Sequence, residues 1–245
     1  MFATTIAGSL PRPDWLAEPE ILKGGWKLEG EELEAGKKRA CEEWIRHQEA
    51  AGIDILTDGE VFRTHFVHSF LKKIEGIDQS KKTLMGIRDN RYDLEVPTVT
   101  GPVSRPAPVF LDDFKFTRSL TDKQLKITLP GPMTICDTIA DDHYGSRPDM
   151  AMAFAELLND EAKELEAAGA DVVQFDEPTV LDDPLQPVAV LELHSHVHVE
   201  LADLAVPHGL AHGLDLLPDL LLRSLALVLR GCGSGDETTD GDREQ

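Results

Sequence analysis

Acidic residues follow two short apolar stretches of this chain. Asp58 and Glu60 come after the first stretch, and Asp176 and Glu177 come after the second. A carboxylate at the end of a buried strand can bind an amine, orient a ligand or act as a general acid or base. The same residues could instead cap a helix or form a salt bridge in a loop. Because two similar segments both place acids after the apolar stretch, we favour a functional site.

Two further segments could recognise an anionic group. Ile6-Ala-Gly-Ser9 is a small, flexible turn after the first predicted strand, and its backbone N–H groups could hold a carboxylate. Arg88 and Arg91 precede another predicted strand and Arg105 follows it. An arginine in this setting can bind a carboxylate through two hydrogen bonds. A plain turn and ordinary surface arginines are the alternative interpretations.

A histidine-rich segment offers potential metal ligands. His194, His196 and His198 alternate, so on a strand they would share one face, with Glu200 beside them. Three histidines could bind zinc. The surrounding sequence offers no recognisable groups to orient histidine ligands, which weakens this interpretation.

The two acidic segments each end a repeated unit. Residues 49–60 (EAAGIDILTDGE) recur as residues 166–177 (EAAGADVVQFDE), and each copy follows an amphipathic helical pattern. Gly52 and Gly169 stand where a helix end needs a left-handed residue. The residues that follow are apolar and β-branched enough for a short buried strand. The repeated unit is therefore a helix, a glycine, a strand and carboxylates.

This repeated unit predicts the fold class. Further strands are predicted at residues 4–7, 97–103 and 125–129, and helices that alternate with buried strands indicate an α/β fold with a parallel sheet. We predict the (β/α)8 TIM-barrel type because no glycine-rich phosphate-binding sequence follows the first strand, as a doubly wound sheet would require. Five βα units are used by residue 180, and a barrel takes about 30 residues per unit. The barrel is therefore predicted to be truncated after the fifth βα unit.

Residues 181–245 differ in composition from residues 1–180. They are rich in Leu and contain no Ile, Phe, Tyr, Trp, Met, Asn or Lys, all of which occur earlier in the chain. We predict a partial TIM-barrel domain in residues 1–180 and an atypical Leu-rich segment with a polar tail in residues 181–245. The atypical segment could come from a shifted reading frame, since the missing residues have mostly AT-rich codons, or it could be genuine and disordered.

The charge balance excludes several classes of partner. The 245 residues carry 24 Lys and Arg against 45 Asp and Glu, a net charge of −21. So acidic a surface repels phosphate backbones and anionic lipids, so we expect neither nucleic-acid nor membrane binding. Cys41, Cys136 and Cys232 match neither a disulfide framework nor a zinc motif. With no secretory signal pattern at the N-terminus, the predicted location is the cytoplasm.

Five short motifs occur in an order that resembles one known family. They are TTIAGSLPRP (4–13), LTDGE (56–60) followed by Arg63, PTVTGPVS (97–104), LPGPMT (129–134) and QFDEP (174–178). Together, over about residues 3–180, they resemble the catalytic domain of cobalamin-independent methionine synthase. The resemblance is strongest to the short, single-domain methionine synthase II proteins.

The resemblance implies a fold, a reaction and a set of site residues. The family fold is a (β/α)8 barrel, and the reaction transfers a methyl group from a methyltetrahydrofolate-like donor to the zinc-activated thiol of homocysteine, giving methionine. By position, the residues that would contact the amino-acid substrate are Ile6, Gly8, Ser9, Glu60 and Asp176, the two acids pairing with its ammonium group. Arg91 matches a folate-contacting arginine.

Two departures from the family pattern lead to further expectations. Thr138 stands where the folate enzymes carry a tryptophan that stacks on the pterin, and the zinc ligands expected beyond Pro178 are not recognisable. We therefore expect this polypeptide alone to lack stoichiometric zinc and detectable homocysteine methylation, and an unclosed barrel to be poorly soluble or to self-associate. The alternatives are a non-catalytic barrel fragment that binds an amino acid or carboxylate, and an enzyme like uroporphyrinogen decarboxylase.

Overall fold

The computed structural model describes residues 3–18, 25–87, 90, 92–177 and 198–202. The helices are α1 (Gly30–Ala50), α2 (His68–Leu71), α3 (Leu111–Arg118), α4 (Pro132–Cys136) and α5 (Arg147–Ala167). The strands are β1 (Ile55–Thr57), β2 (Glu75–Ile87), β3 (Tyr92–Ser104), β4 (Gln124–Pro130), β5 (Ala140–Asp141), β6 (Val172–Asp176) and β7 (His198–Ala202). The prediction of an α/β fold is confirmed, with the strands in two sheets.

The main sheet is parallel and follows the order of the chain. Its strands are arranged β1-β4-β6-β7, and Thr5 forms a parallel bridge to Ile55 at the β1 edge. Within this sheet, each strand therefore lies beside the strand of the same sheet that follows it in sequence, and the described order contains no reversal. A doubly wound sheet reverses its strand order at a switch point, whereas a barrel does not.

The two repeated units form as predicted. Helices α1 and α5 each run for 21 residues and stop before Gly52 (φ +76°) and Gly169 (φ +96°), and β1 and β6 follow. The positive φ angles end the helices because a residue with a Cβ atom seldom adopts them. The side-chain oxygen of Ser146 accepts a hydrogen bond from the backbone N–H of Asp149 at the start of α5.

One strand prediction is right about the strand and wrong about its sheet. Residues 97–103 lie in β3, which pairs antiparallel with β2 and forms a separate sheet with the short β5. The hairpin was missed because β2 is mostly polar, and its turn signal, Asn90 with φ +60°, was not used. The strands of the main parallel sheet are therefore the segment around Thr5 (the Thr5 segment), β1, β4, β6 and β7.

Strand β7 lies beyond residue 180, where composition suggested a boundary. It pairs with β6 from Val172 opposite His198 to Asp176 opposite Ala202. Of the three alternating histidines, His198 begins this strand, whereas His194 and His196 lie outside the described residues. The division at residue 180 stays a prediction.

The parallel sheet has an apolar face and a polar face. Leu125, Ile127 and Leu129 of β4 are buried in the same hydrophobic core as Phe154 and Leu158 of α5. Between them, β4 carries polar side chains that are also buried, among them Lys126 and Thr128. Because successive strand side chains point to opposite faces, these polar residues lie on the side away from the helices.

Cross-sheet hydrogen bonds show that the parallel sheet is curled. The Gln174 Nε2 on β6 donates to the carbonyl oxygen of Ala7 at 3.1 Å, although β1 and β4 separate these segments in the sheet. In a flat sheet, three strand spacings would put them about 14 Å apart, beyond the reach of a glutamine side chain. Such curling is what a barrel requires.

In the part of the chain that the structure describes, no helix is long and apolar enough to cross a membrane.

Candidate active site

The segment after β1 is a tight turn that presents two carboxylates. Gly59 has φ +64° and Glu60 has φ +58°, and the Glu60 N–H donates to Asp58 Oδ1 at 2.9 Å. A left-handed conformation at a glutamate is uncommon and costs about 1 kcal/mol or more, so the surrounding contacts must hold it. Strain of this kind is concentrated at functional sites.

A buried arginine places its positive charge beside these two carboxylates. Arg63 Nη2 lies 3.8 Å from Asp58 Oδ2, and Arg63 Nη1 lies 4.0 Å from Glu60 Oε2. The guanidinium group also stacks 4.2 Å from the ring centre of Phe110. Among the described residues, Arg63 Nε and both Nη atoms have no hydrogen-bond partner, so this arginine contributes charge rather than close hydrogen bonds.

Electrostatics connect Glu60 to the end of β6. Burial raises the pKa of the Glu60 carboxyl group, Arg63 opposes that shift, and the charges of Asp58 and Asp176 add to it. Glu60 follows β1 and Asp176 ends β6, on either side of β4, and Gln174 Nε2 joins Asp176 Oδ1 (2.7 Å) to the Ala7 carbonyl oxygen (3.1 Å) of the N-terminal segment. The carboxylates of Asp58, Glu60 and Asp176 outnumber the nearby cations Arg63 and Arg12, and this excess of negative charge suits an ammonium group.

The N-terminal segment, residues 6–10, packs against the same region. Lys126 Nζ donates to the Ile6 carbonyl oxygen at 2.8 Å, and the Leu10 N–H donates to the Gly59 carbonyl oxygen at 3.0 Å. Gly8 and Ser9 lie between these two fixed points and are exposed, and a Cβ atom at Gly8 would meet nothing within 4 Å. The structure thus brings the predicted residues Ile6, Gly8, Ser9, Glu60 and Asp176 into one region.

Of the three predicted arginines, Arg105 is the one that the structure describes, and it does not join this region. Arg88 and Arg91 lie outside the described residues, so the folate contact of Arg91 stays a prediction. Arg105 binds the chain's own acids instead of a ligand: its Nη1 donates to Glu161 and its two Nη atoms donate to both oxygens of Glu164, at 2.8–2.9 Å.

Comparison with known proteins identifies the family. The family model described as "Cobalamin-independent synthase, Catalytic domain" matches residues 2–198. The chain belongs to the cobalamin-independent synthase family. The resemblance drawn from the five motifs is confirmed.

Curated relatives and solved structures agree with this membership. The methionine synthases of Sulfolobus acidocaldarius (36% identity over 181 residues) and Thermococcus kodakarensis (34% over 184 residues) match 72% and 74% of this chain. The chain spans about half the length of these relatives, 52% and 53%. A B12-independent methionine synthase from Shewanella, solved in complex with selenomethionine, superposes with a TM-score of 0.72 at 50% identity, covering 81% of this chain and 60% of that chain. A protein from Listeria monocytogenes at 19% identity, with a TM-score of 0.54, shares the fold.

Glu177 has a structural role in this chain. Its carboxylate is buried and accepts three hydrogen bonds at 2.8 Å, from the N–H groups of Met133 and Thr134 and from the Thr134 hydroxyl group. Burial raises the pKa of Glu177, and these hydrogen bonds oppose the shift. Of the two acids at the end of β6, Glu177 therefore anchors the start of α4, and Asp176 is the one left for the candidate site.

The close approach of Glu177 to Gly131 gives a stability prediction. A Cβ atom at Gly131 would collide with the Glu177 carboxyl group. Gly131→Ala should therefore lower the free energy of unfolding by about 1–3 kcal/mol, the usual cost of overpacking. The measurement is urea unfolding beside Gly101→Ala, where the nearest atom to the new methyl group is 3.9 Å away. Equal stabilities for the two variants would contradict the packing described here.

The raised pKa of Asp113 on α3 predicts how stability changes with pH. Burial raises the pKa of the Asp113 carboxyl group from 3.8 to about 6, the positive charge of Lys73 opposes the shift, and the charge of Asp58 adds to it. The folded chain therefore binds this proton more tightly than the unfolded chain, so stability declines as the pH rises from about 4 to about 6. Asp113→Asn should remove that decline and stabilise the chain at neutral pH. Urea midpoints at about pH 4.5 and 7.5 test this, with the exposed neighbour Asp112→Asn as control.

The zinc expected of the family does not fit the described residues. Among them, no group of three or more His, Cys, Asp or Glu side chains could hold a metal ion. Cys41 and Cys136 are buried, which raises the pKa of each thiol to about 12 and keeps it protonated, whereas zinc binds the thiolate. Cys232 lies outside the described residues.

Three residues that matter for the site were not singled out from the sequence. Lys126 and Gln174 are buried polar side chains of the parallel strands, and Glu161 is a fully buried acid of α5. A polar residue inside an apolar strand, as in QLKITLP and VVQFD, was the available signal for the first two. Glu161 had no local signal, because a glutamate is common on the exposed face of a helix.

Proposed function

We propose that this chain holds the homocysteine-binding site of a methyltransferase of the cobalamin-independent methionine synthase type, at the ends of the parallel strands. The observation that carries the proposal is the convergence of Glu60, Asp176 and the segment Ile6–Ser9 in one region. These elements come from three places far apart in the sequence. The family membership and the selenomethionine bound to the Shewanella relative support it.

Each part of the proposed site suits one end of an amino acid. Glu60 and Asp176 provide negative charge for the substrate ammonium group, and their partial burial strengthens that attraction. The exposed turn at Gly8 and Ser9 provides backbone N–H groups for the substrate carboxylate. Arg91 would contact a methyltetrahydrofolate-like donor.

The (β/α)8 barrel type of the fold is part of this proposal. The Thr5 segment, β1, β4, β6 and β7 would be five consecutive strands of a (β/α)8 barrel, as their order and the curl of the sheet suggest. The truncation predicted from the sequence would follow the fifth of these strands. The fifth strand would then be β7. Residues 97–103, which the sequence predicts as a strand of the parallel sheet, would not be one of the five.

The described residues suit binding of the amino acid better than activation of its thiol. A free thiol has a pKa of about 8.5, so a methyl acceptor needs a metal ion or a base to become a thiolate at neutral pH. In this proposal Glu60 and Asp176 pair with the substrate ammonium group, and the described cysteines, Cys41 and Cys136, are buried. We therefore expect the isolated chain to bind the amino acid, to contain less than one zinc per chain and to show no homocysteine methylation.

A calorimetric titration tests the proposed function. L-Methionine should bind the 245-residue chain, and 4-(methylthio)butanoate, which lacks only the amino group, should bind at least about tenfold more weakly because it loses a charge-assisted contact. Zinc content and methyl transfer from methyltetrahydrofolate are measured on the same preparation. Equal affinity for the two ligands, or no binding of methionine, would refute the proposed site. Turnover with one zinc per chain would refute the binding-only expectation.

We expect the chain to self-associate. Within the described strands, β7 pairs only with β6 and the Thr5 segment pairs only with β1, so each leaves a row of backbone groups without a strand partner. Light scattering after gel filtration should therefore give a mass above the 27.0 kDa of one chain. A single monomeric peak that melts cooperatively would contradict this prediction.

A further inference from the structure

A buried lysine lies between the N-terminal segment and β6. Lys126 is 2% exposed, and its Nζ donates to the Ile6 carbonyl oxygen at 2.8 Å and to Gln174 Oε1 at 2.7 Å. Burying an ammonium group is costly unless hydrogen bonds compensate it, so its position is strongly restricted. Lys126 therefore acts as a rigid support inside the curled sheet.

This lysine determines the orientation of the Gln174 side chain. A lysine ammonium group can only donate hydrogen bonds, so the amide must turn its oxygen towards Lys126. The amide nitrogen then points the other way, where Gln174 Nε2 donates to Asp176 Oδ1 at 2.7 Å and to the Ala7 carbonyl oxygen at 3.1 Å. With Gln174 only 1% exposed, water does not compete for these contacts.

We infer that Lys126 and Gln174 are positioning residues that hold the carboxylate of Asp176 and the segment Ile6–Ser9 in the arrangement that recognises the amino acid. The inference rests on the proposed function, because it assigns a task to residues around that site. Neither side chain needs to touch the substrate. Lys126 acts on Asp176 through the polarised amide of Gln174, since a hydrogen bond accepted by an amide oxygen makes its N–H groups better donors.

The substitution Gln174→Glu isolates this role. It keeps the oxygen that accepts from Lys126 and nearly the same volume, but at neutral pH it removes the donor to Ala7 and Asp176. Protonation of the new carboxyl group at lower pH restores a donor. Thr128→Val is the matched control. Thr128 is buried on the same face of β4 as Lys126, and the substitution keeps the shape of its side chain.

Two measurements on the full chain test the inference. Hydrogen exchange without ligand should become at least about fivefold faster in residues 3–10 for Gln174→Glu and stay unchanged for Thr128→Val. The methionine affinity of Gln174→Glu relative to the unsubstituted chain should fall at least about tenfold at about pH 8 and recover substantially at about pH 5.5. A residue that only stabilises the fold would not produce this recovery.

The outcomes separate this inference from the proposed function. If the unsubstituted chain binds no methionine, the proposed function fails, and unchanged exchange in residues 3–10 would overturn the positioning role as well. If methionine binds, unchanged exchange or an affinity ratio independent of pH overturns the inference alone. If Gln174→Glu does not fold, Lys126→Met replaces it, and it should accelerate exchange in residues 3–10 and weaken methionine binding at both pH values.

Discussion

Replacing Glu161 with alanine is expected to lower the free energy of unfolding by about 3–5 kcal/mol. Glu161 is 0% exposed and accepts hydrogen bonds from the N–H groups of Val109 at 2.8 Å and Phe110 at 2.7 Å, and from Arg105 Nη1 at 2.8 Å. The substitution leaves two buried backbone donors without a partner, and each costs about 1–3 kcal/mol. It also removes one of the acids that neutralise Arg105.

A neighbouring glutamate provides the control for this experiment. Glu164 binds the same arginine through both of its carboxylate oxygens, but its side chain is 41% exposed. Glu164→Ala should therefore cost no more than about 1 kcal/mol, as exposed ion pairs usually do. Urea unfolding of both variants at one pH makes the comparison. Similar losses of stability would show that burial does not decide the strength of these contacts.

The Glu161 substitution should also weaken ligand binding at the candidate site. Glu161 holds the backbone of Phe110 just before α3, and the ring of Phe110 stacks on Arg63. Arg63 in turn is the cation beside Asp58 and Glu60. We expect Glu161→Ala to weaken methionine binding even at temperatures where the variant stays folded.

Replacing Glu60 with glutamine is expected to weaken methionine binding by about 10–100-fold. The substitution keeps the shape of the side chain but removes the charge that would pair with the ammonium group, and a hydrogen bond to a charged group contributes about 1.5–3 kcal/mol. Calorimetry with L-methionine measures the effect. Glu43→Gln on α1 is the control, because it removes the same charge from a residue whose known partner is the surface residue Arg39.

The pH dependence of binding identifies Glu60 more directly. Burial raises the pKa of its carboxyl group, so the carboxylate is lost at a higher pH than an ordinary glutamate would lose it. Methionine affinity of the unsubstituted chain should therefore decline as the pH falls through this raised pKa. In Glu60→Gln this part of the decline should be absent. A decline of the same size in both proteins would assign the pH dependence to another group.

The sequence by itself determined the parts of this protein that depend on local physical rules. The amphipathic periods of α1 and α5, the left-handed glycines Gly52 and Gly169, and the apolar strands β1, β4 and β6 are properties of neighbouring residues. The placement of Glu60 and Asp176 after strands follows from the same rules, because parallel strands bring their carboxyl ends to one edge. The motifs within these elements were sufficient to indicate the family.

Only the tertiary structure decided which distant residues support the site. The polar strand β2 joins β3 in a hairpin through hydrogen bonds between the backbones of the two strands, and a polar sequence gives little indication of such pairing. The contacts of Lys126 with Ile6, and of Glu161 with Phe110, join residues 120 and 51 positions apart. Such partners depend on the curl of the sheet and the packing of α5. A buried charge shows its role only when the group that compensates it is known.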